Sequence, residues 1–133
     1  MIVYLAGAET WWQKFIDCGV RNVLFSYFYL RAVRPRQLQK MVQGLIDERE
    51  RRASAGELPM RLFLDSGAFT WLSHEGTKPP IKQYASDLVG FVKQTAGLWD
   101  LVAELDVDSP SLGVATADDL RRWREQMLSL IHI

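Results

Sequence analysis

Met60-Arg61-Leu62-Phe63-Leu64-Asp65-Ser66-Gly67-Ala68-Phe69-Thr70-Trp71 is the stretch from which the architecture can be read. A short apolar run ends in an acid, and a tight glycine turn follows at once. In α/β proteins, ligands and catalytic groups collect at the carboxyl ends of strands. A carboxylate placed there, followed by residues small enough to let a substrate approach the backbone, reads as a site. Side chains alternate along a strand, so Arg61, Phe63 and Asp65 share one face while Leu62 and Leu64 share the other.

Working outward, Ile2 to Ala6 is a short β-type run, and Glu9 to Asp17 predicts a helix with Trp12, Phe15 and Ile16 on one side, ended by Gly19. Asn22 to Tyr27 reads as a second strand. Pro35 suits the first turn of a long helix, because its fixed φ is already helical and its missing N–H is not needed there. Leu38, Met41, Val42, Leu45 and Ile46 then follow the spacing of one helix face, with the charged stretch Asp47–Arg52 opposite. Arg61 to Asp65 is the third strand. Pro79 and Pro80 close a polar loop, after which Ile81, Tyr84, Ala85, Leu88, Val89 and Val92 predict another helix. Leu101 to Val107 reads as a fourth strand. Thr116 and Asp119 have the spacing of a capping box for a last helix that turns Leu120, Trp123 and Met127 inward.

Four strand-then-helix units in alternation predict a parallel sheet with helical crossovers, in a single domain over residues 1–133. Glu104 and Asp106 lie opposite an apolar row on the fourth strand, much as Asp65 does on the third. Polar groups on one strand face suit the lumen of a barrel near its active end, and they suit a sheet covered on both faces poorly. The expected fold is therefore α/β, with parallel (β/α) units forming about half of a TIM-type (β/α)8 barrel. A complete barrel takes ~200 residues or more, against 133 here. The apolar ending 128–133 reads either as a fifth strand cut short or as a non-native tail, and both imply a fragment. Open edges and uncovered apolar faces then predict self-association or aggregation.

Bulk properties narrow the function. The formal net charge is zero, which gives no global attraction to nucleic acid or to an anionic membrane. Arg31, Arg34, Arg36, Lys40, Arg49, Arg51 and Arg52 read as solvated helix faces. Cys18 is the single cysteine, expected as a small buried residue, so no disulfide or cysteine-based zinc site can form within the chain. No apolar run is long enough to span a bilayer, and no basic leader opens the chain, which together predict a cytoplasmic protein.

Asp65 and Asp106, each ending a strand, could work as acid and base, hold a polar heterocycle or bind a cation. A cation would want a third hard ligand, for which Glu104 or Asp108 is placed. The plainer alternatives are that Asp65 accepts turn amides from Gly67 and Ala68, that Asp106 merely stops a strand, and that Glu104 pairs with Arg61. Phe69 and Trp71 are aromatics beside a carboxylate, a combination that can stack on a base. His74 reads as a solvated loop residue and His132 carries no role.

Asp65-Ser66-Gly67-Ala68-Phe69 resembles the Asp-Ser-Gly-Gly/Ala-Phe motif of the tRNA-guanine transglycosylase superfamily, in its phage and bacterial DNA 7-deazaguanine branch. Leu24-Phe25-Ser26-Tyr27 and Leu105-Asp106 resemble further strand ends of that family. The resemblance implies a (β/α)8 barrel that exchanges guanine in DNA or tRNA for a 7-deazaguanine. It implies a catalytic Asp65 that contacts the base and assists proton transfer. Ser66, Gly67, Ala68, Phe69, Asp106 and Tyr27 become base-binding residues by the same resemblance. The family's nucleophilic aspartate and the structural zinc of its tRNA members belong to later segments, so no cofactor is expected within these residues. The rival expectations are a non-catalytic phage or accessory interaction protein, and an unrelated metal-dependent barrel hydrolase.

Overall fold

A computed structural model describes residues 1–105 and 116–131, with side chains to residue 126. The elements in order are α1 (Ala8–Asp17), β1 (Asn22–Ser26), α2 (Tyr27–Leu30), α3 (Pro35–Ser54), β2 (Arg61–Asp65), α4 (Ala68–Ser73), α5 (Ile81–Gln94), β3 (Leu101–Val102) and α6 (Ala117–Ile131). The chain is thus mixed α/β, with a small parallel sheet in the order β1-β2-β3. Among the described residues no helix is long and apolar enough to cross a membrane.

The strand order is sequential, and parallel crossovers are almost always right-handed, so the connecting helices collect on one face of the sheet. Burial follows that rule. Val23, Phe25, Leu62 and Leu64 lie on the helix side and are buried, and in register Val23 pairs with Leu62 and Phe25 with Leu64. On the other face Leu24, Phe63 and Asp65 are only half-buried and Leu101 is exposed. Enclosing one leucine of the Leu62/Leu64 pair contributes about 2 kcal/mol, and that face is what fixes the register.

α3 buries Met41 and Leu45, and α5 buries Ile81, Tyr84, Ala85, Leu88 and Val92, as their spacing predicts, whereas Ile46, expected on the same face of α3, lies at the edge of that stripe and is exposed. Glu48 and Arg52 continue the inward stripe of α3. Arg52 is buried rather than solvated, with its Nε 2.6 Å from Glu48 and a guanidinium N–H donating to the Val20 carbonyl at 3.2 Å. α3 also packs on α1 through Gly44, where a Cβ would meet the Trp12 ring at 2.5 Å. Asp100 completes the β2–β3 ladder with its side chain. Its carboxylate accepts the Leu62 N–H at 2.7 Å and also meets Arg49, while its own N–H donates to the Leu62 carbonyl at 2.9 Å.

Several sequence expectations are corrected. The strand expected over residues 2–6 is reduced to a single bridge at Leu5 beside Val23, since Ile2 and Val3 are exposed and no layer packs on them. Of the fourth strand, expected over Leu101–Val107, the described residues pair only Leu101–Val102 as strand, flanked on the same ladder by the Asp100 N–H and by the Ala103 N–H, which donates to the Leu64 carbonyl at 2.8 Å; residues 106 and 107 lie outside the described residues. Tyr27 does not end a strand but begins the one-turn helix α2. Cys18 caps α1 and is exposed. The capping box is present: the Thr116 N–H and hydroxyl reach the Asp119 carboxylate at 2.9 Å, and the Asp119 N–H donates back to Thr116 Oγ1 at 3.1 Å. The expected inward turn of Met127 falls outside the described side chains.

Candidate functional site

Asp65 is the last residue of β2, paired in register with Ser26 at the end of β1, so two polar residues end adjacent parallel strands. Neighbouring strands lie about 4.8 Å apart. The Asp65 carboxylate accepts the Gly67 N–H at 2.9 Å, an Asx-type turn that holds one of its oxygens. Ser66 Oγ takes the Ala68 N–H at 3.4 Å, and the Ser66 carbonyl accepts the Tyr84 hydroxyl at 2.6 Å. Backbone and side chains therefore both fasten the turn.

Gly67 has φ +72°, and a Cβ there would stand 2.6 Å from Phe28 Cβ, 2.8 Å from the Phe28 nitrogen and 2.8 Å from the Tyr84 hydroxyl. Only glycine accepts that conformation in that space. It starts α4, which carries Phe69 outward, 83% exposed, while Trp71 turns inward and is buried. Trp71 Nε1 donates to the Pro79 carbonyl at 2.9 Å, and Lys78 stands over the indole at 4.5 Å while its ammonium donates to the Trp71 and Leu72 carbonyls. Of the two aromatics beside the acid, Phe69 is the one left available for stacking.

Asp65, Ser66, Ala68, Phe69, Leu72, Ala103 and Glu104 line one open recess of about 380 Å³. Its wall thus comes from the segments that follow β2 and β3. Glu104 contributes a carboxylate that is paired with Arg124 at 3.1 Å, rather than with Arg61 as expected, because α6 brings Arg124 to the end of β3.

Tyr27 lies beneath this surface rather than in it. Its ring is buried edge-on to Tyr84 at 5.3 Å and beside Phe91 at 5.2 Å. Burial, helped by Asp87 and opposed by Arg31, pushes its hydroxyl up to about 12. Burial also raises Tyr84, with Tyr27 adding to the effect. The Tyr84 hydroxyl meets the Ser66–Gly67 turn, and the Tyr27 ring packs against Tyr84. Asp106, Asp108 and His132 lie outside the described residues. His74 packs on Phe28, with ring centroids 5.2 Å apart.

Sequence reasoning missed two groups at this rim. Glu9, in the first turn of α1, accepts the Ser26 N–H. The Ser26 hydroxyl is buried with no hydrogen-bond partner among the described residues. An acid in the first turn of α1 was a visible signal, but it pointed to the helix dipole rather than across the sheet. Among the described residues no three histidine, cysteine, aspartate or glutamate side chains converge as a metal would require. No family model, no curated protein and no solved structure matches the chain.

Proposed function

We propose that the chain is an arc of a (β/α)8-type barrel whose open sheet face binds a purine-type nucleobase at Asp65, in a transglycosylase that exchanges guanine for a 7-deazaguanine in nucleic acid. One observation carries the reading: a carboxylate at the carboxyl end of a strand, on the half-buried face of a sequentially ordered parallel sheet, beside an outward aromatic. Sequential order with helices on one side is how a barrel wall is laid down, and the less buried side corresponds to its lumen. The resemblance of Asp65-Ser66-Gly67-Ala68-Phe69 to the family motif supports the same conclusion.

The chemistry follows from the groups present. A purine with neighbouring ring N–H and amino donors offers two hydrogen bonds to one carboxylate, and charge-assisted bonds of this kind are the strong ones. One Asp65 oxygen accepts the Gly67 N–H in the resting turn, and its remaining lone pairs are left for a ligand. Phe69 supplies a face on which the base can stack, and Ser66 to Ala68 keep the approach narrow and free of bulk. When the base is exchanged, Asp65 can take or return a ring proton. Asp106 is proposed to read the base's polar edge from the next strand end.

Ligand-observed NMR with guanine and 7-deazaguanine tests the reading. Binding should weaken about tenfold or more in Asp65→Asn, which keeps the shape and loses the charge. It should also weaken in Phe69→Ala, by the stacking contribution of about 1–3 kcal/mol. Equal binding by the parent and Asp65→Asn would leave Asp65 a turn acid and favour an interaction role for this face.

A further inference from the structure

Ser26 stands out among the groups the fold does not explain. It ends β1 in register with Asp65, and strand alternation puts it on the Leu24 side, the half-buried face that also carries Phe63 and Asp65. The residue is 8% exposed, and its hydroxyl has no hydrogen-bond partner among the described residues. It precedes α2 but makes no side-chain cap there. Its backbone N–H is taken by the Glu9 carboxylate, so the main chain at this point is anchored without the hydroxyl.

A buried polar group without a partner costs free energy, and an alanine would fill the same space without that cost. Among the described residues no hydrogen bond of the resting fold uses this hydroxyl. One Asp65 oxygen is held by the Gly67 N–H, and the carboxylate lies one strand away from Ser26 on the same face. We propose that Ser26 is a positioning residue for Asp65. When a ligand with paired N–H donors draws the carboxylate over the sheet, the Ser26 hydroxyl donates to it and fixes the rotamer in which the remaining lone pairs face the ligand. Glu9, by holding the Ser26 backbone, sets where that hydroxyl starts. This inference depends on the base-binding reading of Asp65, and it adds to that reading a donor supplied by the neighbouring strand.

Guanine binding by ligand-observed NMR and thermal unfolding are measured together on the parent chain, Ser26→Ala, Ser26→Thr and Asp65→Asn. The expected result is a Ser26→Ala melting temperature equal to or above the parent's, with base affinity lowered about tenfold, the value of one hydrogen bond to a charged group. Ser26→Thr, which keeps the hydroxyl, should retain most of the affinity. Ser26→Ala binding as tightly as the parent, with Asp65→Asn weakened, overturns the role of Ser26 and leaves the base site standing. A Ser26→Ala melting temperature well below the parent's makes the hydroxyl structural and also overturns it. Failure of the parent to bind guanine, or Asp65→Asn binding equally well, removes the base-binding reading and this inference with it.

Discussion

Replacing Gly67 by alanine separates two costs that this turn combines. The first is conformational: at φ +72° a side chain costs about 1–2 kcal/mol relative to glycine. The second is steric. The new Cβ would lie 2.6–2.8 Å from Phe28 Cβ, the Phe28 nitrogen and the Tyr84 hydroxyl. Two of those atoms move only with the backbone of α2, and forcing extra volume into such a place typically costs about 1–3 kcal/mol more. Gly56→Ala is the matched control, since Gly56 has φ +69° with nothing within 4 Å of its Cβ position. It should lose only the conformational part, about 1 kcal/mol. Gly67→Ala should lose about 3 kcal/mol in all, which for a domain of this size lowers Tm by about 10 °C. Urea unfolding followed by circular dichroism gives both values on one scale. If the two variants lose the same stability within about 0.5 kcal/mol, the close packing of the turn on Phe28 and Tyr84 is refuted.

Other measurements address separate parts of the molecule. Hydrogen bonds from Arg51, working against burial and with help from Arg52, lower the Glu48 carboxyl from its ordinary 4.5 to about 2. The stability it contributes is therefore complete above about pH 4.5 and is lost as pH falls toward 2. Urea midpoints between those values should decline in the parent and flatten in Glu48→Gln. Glu48→Ala at neutral pH should cost about 3 kcal/mol, because it leaves the Arg52 charge buried without its carboxylate. Gly44→Ala gains helix propensity but drives a methyl into the Trp12 ring, so a net loss of about 1 kcal/mol and a shift in tryptophan emission are expected. The open sheet face should cause concentration-dependent self-association that Leu101→Lys reduces, and light scattering showing a monodisperse parent monomer would count against it.

How far the fold could be read from the chain depended on how local each determinant is. The stripes of α3 and α5 repeat at helical spacing over many residues, so their inward positions were legible except at Ile46, as was the parity Asp65 shares with Phe63 and Arg61 on β2. Arg52 lies seven residues after Leu45 on the same stripe, so its burial was legible too, had charge not argued for solvent. Helices α2 and α4, of four and six residues, are too short to show any period, and they decide that Tyr27 faces the core while Phe69 faces out. The Glu9–Ser26 contact joins residues 17 apart across two elements, and the Glu104–Arg124 pair joins β3's end to α6. Neither leaves a mark in local spacing. Both depend on where the sheet register and the crossovers bring distant segments together.

The hydrogen bond from Tyr84 to the Ser66 carbonyl links the first turn of α5 to the peptide next to the candidate acid. Selection for altered ligand preference would therefore not be confined to residues lining the recess. A substitution beneath Tyr84 that tilts α5 by a few tenths of an ångström would carry the Ser66 peptide, and with it the direction of the Asp65 carboxylate. Libraries that randomise Leu88, Phe91 and Val92 should then yield specificity variants at positions no ligand touches. The rim would act as the pointer of a balance whose beam is the helix below it.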